Sequence, residues 1–352
     1  MKKAFLYAYD RQNLGDDLFV HTITRRYPDV QFYMWSARKN RETFACLPNL
    51  KVIDQDSKLV HFLHKLRPSL IARYKGMIEK RCDAVVYIGG SIFMEYPNWE
   101  TICIWWEWTA KNRPFYVLGA NFGPWHTEDY RSKMEAIFRD CQDVCFRDRY
   151  SADLFPGITR QATDILFSYP MPKVPVKEKQ IFVSVINCAG RDESHNLDNC
   201  DARYVENMAN LLNGYLSDGH QLVLASFCKE EGDEEGVRKI LAAMGCENDP
   251  RVSVLCYDGT NAEELTCAIA ESEGVVATRF HALILAMAAG RPVLPIVYSD
   301  KTKHILEDVK FTGATYDLRE NTLWMPVAMI ASKVPAGEAE KHFSELDIVL
   351  GH

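Results

Sequence analysis

The sequence predicts an α/β protein built from two doubly wound, Rossmann-type domains that face a central cleft. Short β-branched or aromatic runs alternate with helix-length segments along most of the chain, the signature of parallel sheets covered on both faces. A proline-rich stretch interrupts that alternation near the middle. The length of 352 residues is also more than one compact core usually fills.

In the first half the strand-like runs are 4–9, 31–35, 51–53, 84–89, 114–118, 143–146 and 162–167, with helix-like segments such as 16–26 and 128–141 between them. Residues 169–176 then hold three prolines in eight positions, and proline fixes φ and removes a donor. This stretch is the expected linker. A second alternation follows, with runs at 180–186, 221–225, 252–256, 274–277 and 292–297 and segments such as 202–216 and 262–272 between them. The expected division is therefore 1–170, 171–322 and a helical tail, 323–352, that packs back on the first domain. Two such sheets would gather their strand C-termini around a cleft, the architecture of GT-B glycosyltransferases.

Hydrophobic residues at 47% and charged residues at 25% fit a folded chain and argue against disorder. A net charge of −7 argues against a nucleic-acid binder, which needs a basic field or stripe. A local cluster of arginines would still suffice for an anionic substrate. The most apolar stretch, 282–289, is far below the ~20 residues of a membrane span. The opening Met1-Lys2-Lys3 and the apolar run after it end at Asp10 and Arg11, short of the ~7–15 residues of a signal-peptide core, and read as a first strand. Eleven scattered cysteines without a Cys-x-x-Cys pair fit reduced thiols rather than a disulfide framework or zinc site. The expected compartment is the cytoplasm, and no metal is expected.

Several strand ends carry candidate chemistry. Asn13-Leu-Gly-Asp-Asp17 follows the first strand, where Gly15 makes the turn and Asp16 can cap the first helix. Capping does not require Asp17 or Asn13, and a second carboxylate there can orient sugar hydroxyls or transfer a proton. Gly89, Gly90 and Ser91 end another strand, and their backbone can come close to an anion or serve as a plain turn. Asn121, in Gly119-Ala-Asn-Phe-Gly-Pro124, can aim an amide into the cleft. Arg147 and Asp148 read as a structural ion pair. Asp164 lies in an apolar run and needs a partner if buried; it can hold a neighbouring arginine or shape the cleft floor.

Residues 277–293 are the most informative. A strand ends at Ala277, a helix starts at Phe280, and Gly290 stops it before Pro292. The first helical turn offers free N–H groups and partial positive charge to a phosphate or carboxylate. Arg279 adds a bidentate fork and His281 a group that titrates near neutrality. Lys301 and Arg191 are further cations at strand ends, each equally readable as solvated surface. Residues 96–108 hold four of the seven tryptophans. Trp99, Ile102, Cys103 and Trp106 make a core-facing helical stripe, while Ile104, Trp105 and Trp108 are surplus to it. That surplus suits a buried helix or subunit contact, or an aromatic platform for a sugar or carrier lipid.

The order of these pieces resembles the polysaccharide pyruvyl transferase family over roughly residues 1–305. The series is Asn-Leu-Gly-Asp-Asp at 13–17, Ile-Gly-Gly at 88–90, Gly-Ala-Asn-Phe-Gly-Pro at 119–124, Phe-Arg-Asp with Ser151, Asp164, Arg-Phe-His at 279–281, Gly290-Arg-Pro292 and Tyr298. The resemblance implies a GT-B-like enzyme that places the enolpyruvyl group of phosphoenolpyruvate on a sugar as a ketal. By that resemblance Arg279 and His281 sit at the phosphoenolpyruvate site, with Arg191 as a further cation. Ketal formation needs protonation of the methylene carbon, attack of a sugar hydroxyl on the adjacent carbon and loss of phosphate. His281 would protonate the leaving phosphate, and Asp16, Asp17 or Asp164 would serve the acceptor. No cofactor is implied beyond phosphoenolpyruvate as donor; the acceptor would be a polysaccharide sugar or its lipid-linked precursor.

Two other readings stay open. A GT-B glycosyltransferase would bind a nucleotide-sugar diphosphate at the same helix end. A non-catalytic binding or regulatory protein could keep the scaffold alone. Peripheral membrane contact and a homo-oligomer are compatible with all three.

Overall fold

The computed structural model describes residues 1–66, 69–189 and 200–351. The chain forms two compact units, and their boundaries do not follow the sequence order. Unit 1 comprises residues 1–10, 16–165 and 337–352; unit 2 comprises 11–15 and 166–336.

Unit 1 is built on seven strands: β1 (Lys3–Tyr7), β2 (Gln31–Ser36), β3 (Leu50–Asp54), β4 (Ala84–Ile88), β5 (Phe115–Ala120), β6 (Asp143–Phe146) and β7 (Arg160–Gln161). They pair in parallel in the order β3-β2-β1-β4-β5-β6-β7. The order reverses between β1 and β4, so the turns that follow these strands lie at a topological switch point, where such sheets bind ligands. β5 is buried along its whole length, as a strand covered on both faces must be. The helices are α1 (Leu14–Arg26), α2 (Lys58–Leu66), α3 (Ser69–Glu79), α4 (Trp99–Asn112), α5 (Glu128–Asp140) and α6 (Arg149–Asp153). On α4, Cys103 and Trp106 are buried, whereas Ile104 and Trp108 face solvent.

Unit 2 repeats the plan with β8 (Lys177–Val185), β9 (Gln221–Ser226), β10 (Val252–Cys256), β11 (Ser272–Ala277), β12 (Val293–Val297) and β13 (Tyr316–Asp317). Their order, β10-β9-β8-β11-β12-β13, reverses between β8 and β11. Around them run α7 (Asp201–Ser217), α8 (Asp233–Met244), α9 (Ala262–Glu271), α10 (Phe280–Ala288) and α11 (Asp300–Asp308). Nearly every side chain of α10 is buried, which explains its continuous apolar sequence.

Three expectations change. Residues 162–167 are not a strand: pairing stops at β7, and Ile165–Ser168 is a 3₁₀ turn. The first helix begins at Leu14, two residues earlier than expected, and its cap is Asn13, whose Oδ1 accepts the Gly15 N–H at 3.2 Å. Asp16 and Asp17 then fall in its first turn. The tail is helical only at α12 (Ala336–Glu340) and α13 (Ser344–Leu350). Pro326 and Pro335 keep the segment before it irregular. That segment belongs to unit 2, where the Val293 N–H donates to the Ile330 carbonyl at 3.0 Å and Trp324 stacks on Tyr316. The helical end belongs to unit 1. There Arg26 makes a two-point contact with Asp347, and Arg160 donates to the carbonyls of Lys341 and His342.

Candidate functional site

A dense polar cluster of unit 2 forms where β11 stops. Past Ala277 the chain turns sharply, and the Ser184 Oγ accepts the N–H groups of both Thr278 and Arg279 at 3.1 Å. The Tyr204 hydroxyl donates to Thr278 Oγ1 at 3.1 Å, and burial pushes that phenol's pKa up. The backbone around Arg279 is thus fixed before its side chain makes any contact.

That side chain is almost wholly buried, at 7% exposure. Its Nε donates to Asp233 Oδ2 at 2.7 Å, its Nη2 to Asp233 Oδ1, and its Nη1 to Glu231 Oε2 at 2.5 Å. Burial alone would lower the guanidinium pKa, but the two carboxylates outweigh it and hold the pKa well above the usual arginine value. Asp233 has no exposed surface, and its Oδ2 also accepts the N–H groups of Phe227 and Cys228 at 3.1 and 3.0 Å. A buried carboxylate held by a guanidinium and two amides is a fixed element. Glu231 is more open, with its side chain 25% exposed.

The segment 11–15 completes the cluster. Asn13 pairs with Cys228 as an antiparallel bridge, and the Leu14 N–H donates to the Phe227 carbonyl at 3.1 Å. Asn13 Nδ2 donates to Glu231 Oε1 at 3.2 Å. Gly15 lies so close to His281 that a Cβ there would fall 1.7 Å from His281 Nδ1 and 2.6 Å from its Cβ. No side chain but hydrogen fits. The Asn-Leu-Gly and Arg-Phe-His motifs, more than 260 residues apart in sequence, therefore touch. The Lys301 ammonium sits 5.8 Å from the ring centroids of both Phe280 and Tyr298. Burial pushes the Cys228 thiol up to about 12, so it is no nucleophile at neutral pH.

Unit 1 holds a second cluster at the ends of β4, β5 and β6. Arg147 donates to Asp164 Oδ2 at 3.1 Å and to Asn121 Oδ1 at 2.6 Å. Its guanidinium occupies the space that a Cβ on Gly90 would enter, at 2.6–2.8 Å. The Ser91 hydroxyl reaches Asn121 Oδ1 at 3.3 Å, and the Asn121 N–H donates to the Gly90 carbonyl at 2.9 Å. Gly89, the residue before, takes φ +159. Arg147 therefore pairs with Asp164, where the sequence suggested Asp148. Asp148 instead caps α6, accepting the Ser151 N–H at 2.8 Å, because the helix begins at the very next residue. Asp164 is fully buried and engaged with Arg147, which makes it a support for that arginine.

Of the residues singled out from sequence, Asn13, Arg279 and His281 meet in one cluster of unit 2, with Lys301 beside Phe280. Gly90, Ser91, Asn121 and Asp164 meet in one cluster of unit 1. Asp16 and Asp17 lie in the first turn of α1, both nearly inaccessible. Arg191 lies outside the described residues. Sequence reasoning missed Glu231 and Asp233. The signal was the acidic run 230–235, placed just after β9 and so at the same end of the sheet as Arg279.

Comparison with known proteins fits this picture. A curated relative, the amylovoran biosynthesis protein AmsJ of Erwinia amylovora, is 23% identical over 267 residues, 68% of this chain. The match spans 62% of AmsJ, less than two thirds of its length. Among solved structures, UDP-GlcNAc 2-epimerase from Neisseria meningitidis superposes with a TM-score of 0.55 at 10% identity, covering 98% of this chain and 91% of that one. HepE from Anabaena, solved with UDP-glucose, gives 0.55 at 12% identity, covering 99% and 92%. These likenesses establish a GT-B-like fold and nothing finer. The sequence profile of the polysaccharide pyruvyl transferases matches residues 13–300, a span that opens on Asn13 and takes in Arg279 and His281. The chain belongs to the polysaccharide pyruvyl transferase family.

Proposed function

We propose that this protein transfers the enolpyruvyl group of phosphoenolpyruvate to a sugar of an exopolysaccharide, or of its lipid-linked precursor, as a pyruvate ketal. The observation that carries the reading is the contact between Gly15 and His281, which joins two motifs of the family at the end of β11. His281, Arg279 and Lys301 hold the carboxylate and phosphate of the donor, and His281 gives the leaving phosphate its proton. Arg191 adds a further cation. Asp233 fixes the Arg279 fork, while Glu231, the more exposed of its two carboxylates, gives way to the donor.

On the acceptor side, Asp16 or Asp17, which both follow Gly15 directly in the chain, takes the proton of the first attacking hydroxyl and passes one to the methylene carbon. Once phosphate has left with the proton of His281, a second hydroxyl of the same sugar closes the ketal and returns its proton to His281. Asp164 is engaged with Arg147 and acts by holding the Asn121 cluster in place. The backbone of Gly89 and Gly90, with Ser91, meets acceptor hydroxyls. The scheme needs no metal and no cofactor. None of the eleven cysteines is in a disulfide, which supports a cytoplasmic site of action.

The test is release of inorganic phosphate from phosphoenolpyruvate, dependent on a galactosyl, glucosyl or mannosyl oligosaccharide. Ketal formation should appear as an added methyl signal in the product's NMR spectrum. Arg279→Gln and His281→Gln should each abolish it. Turnover of a nucleotide sugar with none of phosphoenolpyruvate would replace this reading with a glycosyltransferase. Unchanged function in cells for both variants would point to a binding protein.

A further inference from the structure

Unit 1 leaves a set of apolar side chains in solvent. On α2, Leu59, Phe62 and Leu66 are 53%, 58% and 56% exposed. Their spacing of three and four residues puts them on one stripe, while Val60 anchors the opposite face at 6% exposure. Lys58 and Lys65, both exposed, border the stripe along one side. α2 packs on α3, and α3 meets α4 where Gly76 lies against the Trp108 ring. Those two helices expose Met77, Ile104 and Trp108.

Charge separates this region from the rest of the protein. Residues 58–81 hold seven Lys and Arg against the single Glu79, whereas the whole chain holds 41 basic residues against 48 acidic ones. Arg73, Lys80 and Arg81 are exposed, while Lys75 turns inward over the Tyr7 and Trp35 rings. A concentration of cations around exposed leucine and phenylalanine, on a chain that is acidic elsewhere, matches a surface that is negative outside and apolar beneath. A second copy docked symmetrically through this same face would set these cations against their own kind.

We infer that α2, together with the exposed apolar side chains of α3 and α4, docks the protein on an anionic lipid bilayer. Leu59, Phe62 and Leu66 enter the boundary between headgroups and acyl chains, and Lys58 and Lys65 meet the lipid phosphates. At nine residues α2 lies in the interface and cannot cross it. The inference stands apart from the pyruvyl transfer reading, because its readout needs neither donor nor acceptor.

The experiment is co-sedimentation of the full chain with vesicles of phosphatidylcholine alone, or mixed with phosphatidylglycerol, at low and high salt. The protein should pellet with the mixed vesicles at low salt and stay in solution with phosphatidylcholine alone. Lys58→Gln with Lys65→Gln should lower partitioning about 25-fold, from about fivefold per basic residue near an anionic surface. Leu59→Ser with Phe62→Ser should lower it at least about tenfold by removing the inserted groups. All four positions are exposed, so circular dichroism should stay native; if the serine pair unfolds, the glutamine pair decides. Wild type that ignores anionic vesicles, or variants that pellet like wild type, would overturn the inference. So would a dimer in sedimentation velocity that the serine pair splits while vesicles bind nothing, since the face would then belong to a second copy.

Discussion

Arg147 in unit 1 and Arg279 in unit 2 both follow a parallel strand, both are nearly inaccessible, and both grip an aspartate without exposed surface. Each also stands in a cluster where a glycine is fitted tightly to a functional side chain: Gly90 against Arg147, and Gly15 against His281. They differ in the second partner. Arg147 shares its guanidinium with the neutral amide oxygen of Asn121, whereas Arg279 shares its own with a second carboxylate, Glu231. A neutral second partner suits a permanent support. A half-open carboxylate suits a partner that can be exchanged for an incoming anion. The same strand-end arginine thus serves as scaffold in one unit and as a candidate contact in the other.

The largest effect should come from Asp233→Ala, which leaves a buried guanidinium and two backbone N–H groups without this acceptor. Urea unfolding should show a loss of about 3–5 kcal/mol. A loss near zero would mean the Arg279 cluster is not a fixed element. Arg147→Met should cost roughly 3 kcal/mol, because Asp164 loses the fork it holds. If Arg147 is only a support, this variant should lose stability at every donor concentration without a selective rise in the donor's KM.

Gly15→Ala sharpens the comparison from the functional side. Its methyl group must displace His281, at about 1–3 kcal/mol of overpacking. Activity should fall at least about 100-fold, the scale of losing one positioned acid–base group. Glu231→Gln should cost about 1–2 kcal/mol, less than Asp233→Ala, because the pair is largely buried but the amide oxygen still accepts from Arg279. It should lower the KM for the anionic donor several-fold; a raised KM would mean Glu231 positions Arg279 instead of competing for it.

A pH dependence follows from the tail. His342 has no exposed surface, and its Nε2 lies 2.7 Å from the Thr163 carbonyl. Burial, with the nearby Arg160 and Arg147 charges, pulls its pKa down to about 3, against about 6.5 in an unfolded chain. Between those values the unfolded chain binds a proton that the folded chain refuses. The stabilisation is complete above the unfolded value and is lost as pH falls towards the folded one, at up to about 1.4 kcal/mol per pH unit. His21, lowered to about 4, adds in the same sense. His342→Gln should flatten the stability profile between pH 6 and 4 by about one proton; an unchanged slope would place the titration elsewhere.

Much of the fold was legible because a strand buried on both faces has to be written in β-branched and aromatic residues. The mouth at 277–281 was legible for a similar reason: a strand, a polar turn and an apolar helix succeed one another without interruption. The partners of Arg279 were not. Glu231 and Asp233 sit in an acidic run that reads as solvated surface, and only the parallel pairing of β8 with β9 and β11 brings that run to the arginine. Asp164 illustrates the reverse case. Its apolar neighbours announced burial, but whether its partner was Asn121's arginine neighbour or a substrate depended on where β6 ended. The tail, expected to be helical from 323 on, departs for a local reason: Pro326 and Pro335 keep its first part irregular.

The interleaved route of the backbone also bears on how the protein is made. Unit 1 is opened by residues made before nearly all of unit 2 and closed by residues made after it, because Arg26 and Tyr27 find their shared acceptor only at Asp347. Unit 2 is almost contiguous, and its whole sheet emerges before that acceptor does. The later-synthesised half can therefore be finished first, while the earlier half waits with a helix face uncovered. Cutting the chain at its proline-rich middle would not yield two independent halves. The N-terminal fragment would lack the helical end of the tail, and the C-terminal one the segment 11–15 that bridges to Cys228; a chaperone meeting this nascent chain should recognise its N-terminal part.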